Sequence, residues 1–94
     1  MDKKEVPFEY RDRFIQLGIA ISTLRKLRGF SQEEFAYKVG ISRSLLGLIE
    51  APNFAKGFSL EVFLKIADAL EVTPIDLLNT SMIPDNFIGK DANK

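Results

Sequence analysis

Side chains that can form several hydrogen bonds stand together at the start of the segment ISRSLLGLIE, which runs from Ile41 to Glu50. Arg43 lies between Ser42 and Ser44, and its guanidinium carries five N–H donors in a fixed planar arrangement. Three leucines and a glycine follow in the same segment. The polar side chains could bind another molecule through hydrogen bonds, next to an apolar surface formed by the leucines. The role of these leucines requires an explanation.

Side chains suited to catalysis are scarce. The chain contains no histidine and no cysteine, so it lacks the commonest general base, the commonest metal ligand and any disulfide or thiolate site. No nucleophile stands in an evident arrangement with a base. We therefore expect a protein that is not an enzyme and that uses no metal or other cofactor.

Length and composition indicate one soluble globular domain. The chain has 94 residues, of which 46% are hydrophobic and 28% are charged. The N-terminal stretch has no apolar signal region, and no window approaches the roughly 18 consecutive apolar residues of a membrane span. We expect a cytoplasmic protein without membrane contact.

Charge is balanced overall but uneven along the chain. Residues 1–43 contain nine Lys or Arg against six Asp or Glu, a balance of +3, and residues 44–94 contain four against seven, a balance of −3. This asymmetry could give one face a positive field, or it could be ordinary scatter of surface charge.

Apolar residues that recur every three or four positions predict the first and fourth of five helices. The first runs from about Tyr10 to Arg28 and ends at Gly29, which can take the left-handed conformation of a helix stop. The fourth begins after Ser59 as N-cap. The two apolar stripes are Phe14, Leu17, Ile21, Leu24 and Leu27, and Leu60, Phe63, Leu64, Ala67 and Leu70.

Capping residues predict the other three helices. Ser31 and Glu34 form a capping box that opens the second helix, Ser42 caps a third that ends near Glu50, and Thr73-Pro74 opens a fifth.

The second and third helices are separated only by Val39-Gly40-Ile41. Gly40 can adopt a positive φ, so the chain can turn sharply and the flanking apolar residues can pack the two helices at a steep angle. This spacing predicts a helix-turn-helix, although an ordinary corner between two helices of a small bundle would have the same spacing.

From Leu17 to Leu78 the sequence resembles the phage-repressor and Cro (XRE-like) helix-turn-helix domain family. The resemblance implies an all-α, five-helix, lambda-repressor-like DNA-binding domain with its helix-turn-helix at helices two and three. We place an N-terminal arm at 1–9, the domain at 10–79 and a C-terminal tail at 80–94. The matching features, in order, are Leu17-Gly18, Arg25, Ser31-Gln32-Glu33-Glu34, Ala36, Val39-Gly40-Ile41-Ser42, Ile49-Glu50, Ser59-Leu60 and Ala67-Asp68-Ala69-Leu70.

The resemblance implies that the third helix lies in the major groove of duplex DNA. Arg43 could bind a guanine through two hydrogen bonds or contact only a phosphate. Gln32 matches a phosphate-contacting position, or it is an ordinary solvent-facing helix former. The residues that match DNA-contacting positions of the family are Gln32, Ser42, Arg43, Ser44, Gly47 and Leu48.

Helical geometry assigns the leucines to two faces. At about 100° per residue, Leu46 and Ile49 fall on the core side with Leu45 beside them. Leu48 falls on the outer side, where it could contact a thymine methyl group, and Gly47 would allow a close approach to the DNA backbone.

Arg25 and Glu50 match a pair that in the family forms a buried or half-buried ion pair between the first helix and the end of the third. We assign this pair to stability, because removing one partner would leave the other charge unpaired.

The implied function is that of a sequence-specific transcriptional regulator, a repressor that binds a palindromic operator as a homodimer. The alternative is a protein-interaction module, antitoxin-like or part of a regulator complex, which binds a protein partner through the apolar face of the third helix. Leu48 occupies a position where the family usually has a polar or basic residue. Gly47 occupies a position where the family usually has a serine. The first helix is also apolar at positions where the family is commonly polar: Ile19, Ala20 and Leu27. These residues could mark a protein contact, or they could be scattered apolar residues of an ordinary surface.

The two ends of the chain carry further expectations. Lys3-Lys4 could reach a phosphate, or they could belong to a disordered start. We predict that the apolar tail residues dock on the domain or across a dimer interface; they are Met82, Ile83, Phe87 and Ile88.

Overall fold

A computed structural model describes residues 6–81, so the predictions for Lys3-Lys4 and for Met82, Ile83, Phe87 and Ile88 fall outside the described residues. The all-α prediction with five helices is confirmed within this range. A single 3-10 turn precedes the helices. The elements are the turn Phe8–Tyr10, α1 Arg11–Leu27, α2 Gln32–Val39, α3 Arg43–Glu50, α4 Leu60–Leu70 and α5 Pro74–Ser81. None of these helices is both long enough and apolar enough to cross a membrane.

The predicted caps form at the starts of the helices. The Ser31 hydroxyl accepts a hydrogen bond from the Glu34 N–H at 3.0 Å, and the Glu34 carboxylate accepts one from the Ser31 N–H at 2.9 Å. Ser42 caps α3 in the same way, with its hydroxyl 2.9 Å from the Leu45 nitrogen. Gly40 has φ 89° between α2 and α3, so the turn needs the left-handed conformation that glycine adopts at little cost.

All five helices contribute to one core. The side chains with essentially no solvent exposure are Ile21 from α1, Phe35 from α2, Leu46 and Ile49 from α3, Ile66 and Leu70 from α4, and Leu77 from α5. Because α3 supplies two of these residues from only eight, its position is set by burial against its neighbours.

Three leucines assigned to the core by periodicity lie on the surface instead. Leu27 is 76% exposed, Leu60 is 70% exposed and Leu64 is 41% exposed. Leu27 and Leu60 are terminal residues of their helices, beyond the reach of the packed neighbours. In α4 the buried stripe is instead formed by Phe63, Ile66, Ala67 and Leu70. The predicted burial of Leu27, Leu60 and Leu64 was therefore wrong.

Structure continues past the predicted limits of the domain on both sides. Helix α5 extends to Ser81, beyond the predicted boundary at 79. In the predicted arm, a methyl group of Val6 lies close to Gly57, 3.3 Å from where a Cβ on that glycine would be.

Gly18 lies where α1 packs against the end of α3. A Cβ atom added at this position would overlap the carbonyl oxygen of Ile49. The obstacle is backbone, so it cannot rotate away as a side chain could. The absence of a side chain at Gly18 is therefore what allows the end of α3 to lie against α1.

Replacing Gly18 by alanine is expected to destabilise the protein. Alanine gains about 1 kcal/mol of helix propensity, but forcing the two helices apart costs about 1–3 kcal/mol or more. We expect a net loss of about 2 kcal/mol in the free energy of unfolding, measured by urea denaturation. Gly47→Ala is the matched control, because a Cβ there would meet only Arg43 Nη1 at 4.0 Å. That variant should gain about 0.5–1 kcal/mol, and equal effects of the two changes would contradict this packing.

Candidate nucleic-acid interface

Helix α3 buries one side and exposes the other, as the helical spacing predicted. Leu46 and Ile49 are buried, and Leu45 is half-buried beside them. Leu48 is 43% exposed and lies on the outer face with Arg43. The predicted orientation of the leucines is confirmed: two pack inward and one is available to another molecule.

The exposed start of α3 combines hydrogen-bond donors with the positive end of the helix. Ser42 accepts the capping bond from Leu45 and keeps its own O–H to donate. No acidic residue lies in the first turn of α3, so nothing there offsets the partial positive charge of the helix N-terminus. This end of the helix can therefore accommodate an anion or an electronegative base edge.

Arg43 and Gly47 lie next to each other along the outer face of α3. The Arg43 Nη1 atom is 4.0 Å from where a Cβ on Gly47 would be. The Arg43 side chain therefore extends along the helix, and its guanidinium lies beside the glycine. This conformation places the charge near the middle of the helix. From there it can reach a base edge or a phosphate, and the two roles predicted for Arg43 both remain open.

The predicted pair of Arg25 and Glu50 is present as a two-pronged ion pair. Arg25 Nε donates to Glu50 Oε2 at 2.8 Å, and Nη2 donates to Oε1 at 3.0 Å. Both residues are buried. Arg25 Nη1 also donates to the Phe30 carbonyl oxygen at 2.7 Å. One guanidinium thus joins α1 to the end of α3 and to the loop that precedes α2.

Gln32 takes part in the same network, which the sequence did not indicate. Its Nε2 atom donates to Glu50 Oε1 at 3.0 Å, and the residue is half-buried rather than fully exposed. A side-chain amide has two N–H groups, so the second one remains available for a phosphate. The contact with Glu50 holds the Gln32 amide at the start of α2 in one orientation.

Arg28 has a structural role that sequence reasoning missed. Its Nε atom donates to the Leu70 carbonyl oxygen at 2.8 Å, at the end of α4. The last carbonyl groups of a helix lack partners within the helix, and a basic side chain there also interacts favourably with the helix dipole. The partners are 42 residues apart, so no local pattern could have revealed the contact.

Comparison with known proteins finds the same architecture in transcriptional regulators. A family model described as helix-turn-helix matches residues 21–77. An uncharacterised HTH-type transcriptional regulator of Bacillus subtilis, YazB, is 40% identical over 60 residues, which cover 64% of this chain and 84% of that protein.

Solved structures give a similar result. The restriction-modification controller protein C.AhdI from Aeromonas hydrophila is 34% identical, with a TM-score of 0.63 over 68% of this chain and 94% of its own. SinR, described as the master regulator for biofilm formation and solved in complex with DNA, is 34% identical, with a TM-score of 0.60 over 66% of this chain and 97% of its own.

The ion-pair network yields a prediction about stability. Glu50→Ala leaves the Arg25 charge buried without its partner, so the free energy of unfolding should fall by about 3–5 kcal/mol. The double variant Arg25→Met, Glu50→Leu removes both charges and should recover most of that loss. Urea denaturation of the two variants beside the wild type measures both effects. A double variant no more stable than Glu50→Ala would contradict the pairing.

Proposed function

The chain belongs to the helix-turn-helix family and is a DNA-binding transcriptional regulator. From this premise we propose that it acts in the cytoplasm as a repressor, binding a palindromic operator as a homodimer with α3 in the major groove. The single observation that carries the proposal is the outer face of α3, where Arg43, Ser44 and Leu48 are exposed on a helix whose opposite side is buried.

Each exposed residue of α3 has a contact suited to its chemistry. Arg43 would bind guanine O6 and N7 through two hydrogen bonds, a contact worth about 1–3 kcal/mol of discrimination. Leu48 would pack on a thymine methyl group. Ser44 could donate to or accept from either kind of base edge. Together they would read a short sequence that contains both guanine and thymine.

The remaining predicted residues would fix the position of α3 on the DNA without reading the sequence. Gln32 would use its second N–H on a phosphate at the start of α2, where the helix dipole favours an anion. Ser42 would donate its hydroxyl hydrogen to the DNA, and Gly47 would allow the backbone to approach closely.

The short length of α3 is the reason for proposing a homodimer. An eight-residue helix reads only a few base pairs, so specificity requires two half-sites, about 34–36 Å apart in helix-turn-helix dimers. We propose no catalytic activity and no cofactor for the chain.

Selection from a random duplex pool tests the proposal. At roughly 0.1 M salt, where non-specific attraction does not dominate, the wild-type protein should enrich a two-fold symmetric site. Arg43→Ala should lose the preference for guanine at one position of each half-site, and Leu48→Ala should lose a preference for thymine. Ile75→Ala is a suitable control, because Ile75 is exposed and belongs to α5, outside the helix-turn-helix.

Two outcomes would count against the proposal. Enrichment of an asymmetric single site would contradict homodimeric binding. Failure of a folded protein to enrich any sequence would contradict sequence-specific DNA binding and would favour the alternative, in which the exposed Leu48 face binds a protein partner.

A further inference from the structure

A cleft of about 400 Å³ opens where α1 meets the start of α2 and the end of α3. Ser22, Thr23 and Lys26 line it from α1, and Gln32 and Gly47 line it from the other two helices. Ser22 and Lys26 are four residues apart and therefore lie on one side of α1. None of the three α1 residues is among those matched above to DNA-contacting positions of the family.

The cleft adjoins the surface proposed to bind DNA. Gln32 and Gly47 belong both to the cleft and to the set of predicted DNA contacts. The space beside Gly47 is open, because a Cβ there would meet nothing nearer than Arg43 Nη1 at 4.0 Å. A DNA strand that passes over Gly47 would therefore run along the mouth of the cleft.

The charges in the cleft favour an anion. Glu50 also lines the cleft, but both of its carboxylate oxygens accept hydrogen bonds from Arg25, and Oε1 also accepts one from Gln32. Among the described residues, no acidic side chain lies within ion-pair distance of Lys26. Because the charge of Arg25 offsets that of Glu50, the charged residues that line the cleft carry a net positive charge, which Lys26 supplies.

We propose that this cleft holds a backbone phosphate of the operator, with the Lys26 ammonium supplying the charge and the Ser22 and Thr23 hydroxyls donating hydrogen bonds. The inference rests on the proposed DNA-binding function and extends the contact surface from α2 and α3 onto α1. Lys26 and Thr23 are exposed and Ser22 is half-buried, so these side chains can reach a phosphate without any rearrangement of the core.

A phosphate contact strengthens binding to every sequence equally, because it carries no information about bases. It also makes binding more dependent on salt, since each neutralised phosphate of duplex DNA releases condensed counterions and adds about 0.9 to the slope of log K against log salt. These two properties separate the role of Lys26 from that of Arg43 when Arg43 reads a base.

The test measures duplex affinity as a function of salt for Lys26→Gln, Lys26→Arg and the wild type. Each is titrated against the selected operator and an unrelated duplex. Lys26→Gln should make the slope shallower on both duplexes by about 0.9 for each subunit, or about 1.8 for the dimer, and weaken binding on the order of tenfold per subunit at roughly 0.1 M salt. Lys26→Arg should restore both values, because it keeps the charge.

Lys65→Gln is the matched control. Lys65 is another exposed helical lysine, but it lies on α4 and pairs with Glu61 at 3.2 Å. Its replacement should leave the slope unchanged. A slope that is unchanged in Lys26→Gln, or reduced equally in Lys65→Gln, would overturn the cleft proposal while leaving the proposed function intact. Absence of duplex binding by the wild type at every salt concentration would overturn both.

Discussion

Two hydrogen bonds from the Arg25 guanidinium to the Glu50 carboxylate hold the end of α3 against α1. Helix α3 has eight residues, too few to persist alone in water, so its orientation depends on what it packs against. A buried ion pair contributes little net stability on average, but its geometry is demanding because any other arrangement leaves a charge unpaired. The pair therefore fixes the end of α3, and Leu46 and Ile49 fix its buried side.

The same network links two of the places where DNA contact is proposed. Gln32 binds Glu50 from the start of α2, and Arg25 binds the carbonyl of Phe30 in the loop before it. The N-terminus of α2 and the outer face of α3 are consequently joined into one unit by hydrogen bonds. Gly18 adds the steric condition, since only a glycine lets α1 approach the Ile49 carbonyl so closely. A helix that contacts DNA bases and the residues that contact phosphates can keep a constant distance from each other only when both belong to such a unit.

Features with a local cause could be predicted from the sequence. The serine caps, the positive φ of Gly40 and the inward and outward leucines of α3 all depend on residues within one or two helical turns. Periodicity failed for Leu27 and Leu60, because it cannot show where a neighbouring helix stops covering the stripe.

Contacts between distant parts of the chain were predictable only where the family resemblance supplied them. Arg25 with Glu50 was expected for that reason, whereas Arg28 with the Leu70 carbonyl and Gln32 with Glu50 were not. The cleft beside Gly47 requires three helices to converge, so no short stretch of sequence reveals it.

The most direct test of the central claim, that the outer face of α3 and the start of α2 form the surface that contacts DNA, is a map of backbone amide chemical shifts in the isotope-labelled protein with and without duplex DNA. The account predicts the largest changes at Ser42, Arg43, Ser44, Gly47 and Leu48 and at Gln32, with little change at the buried residues of α4. Changes concentrated on the exposed side of α4, around Leu60 and Leu64, would contradict it.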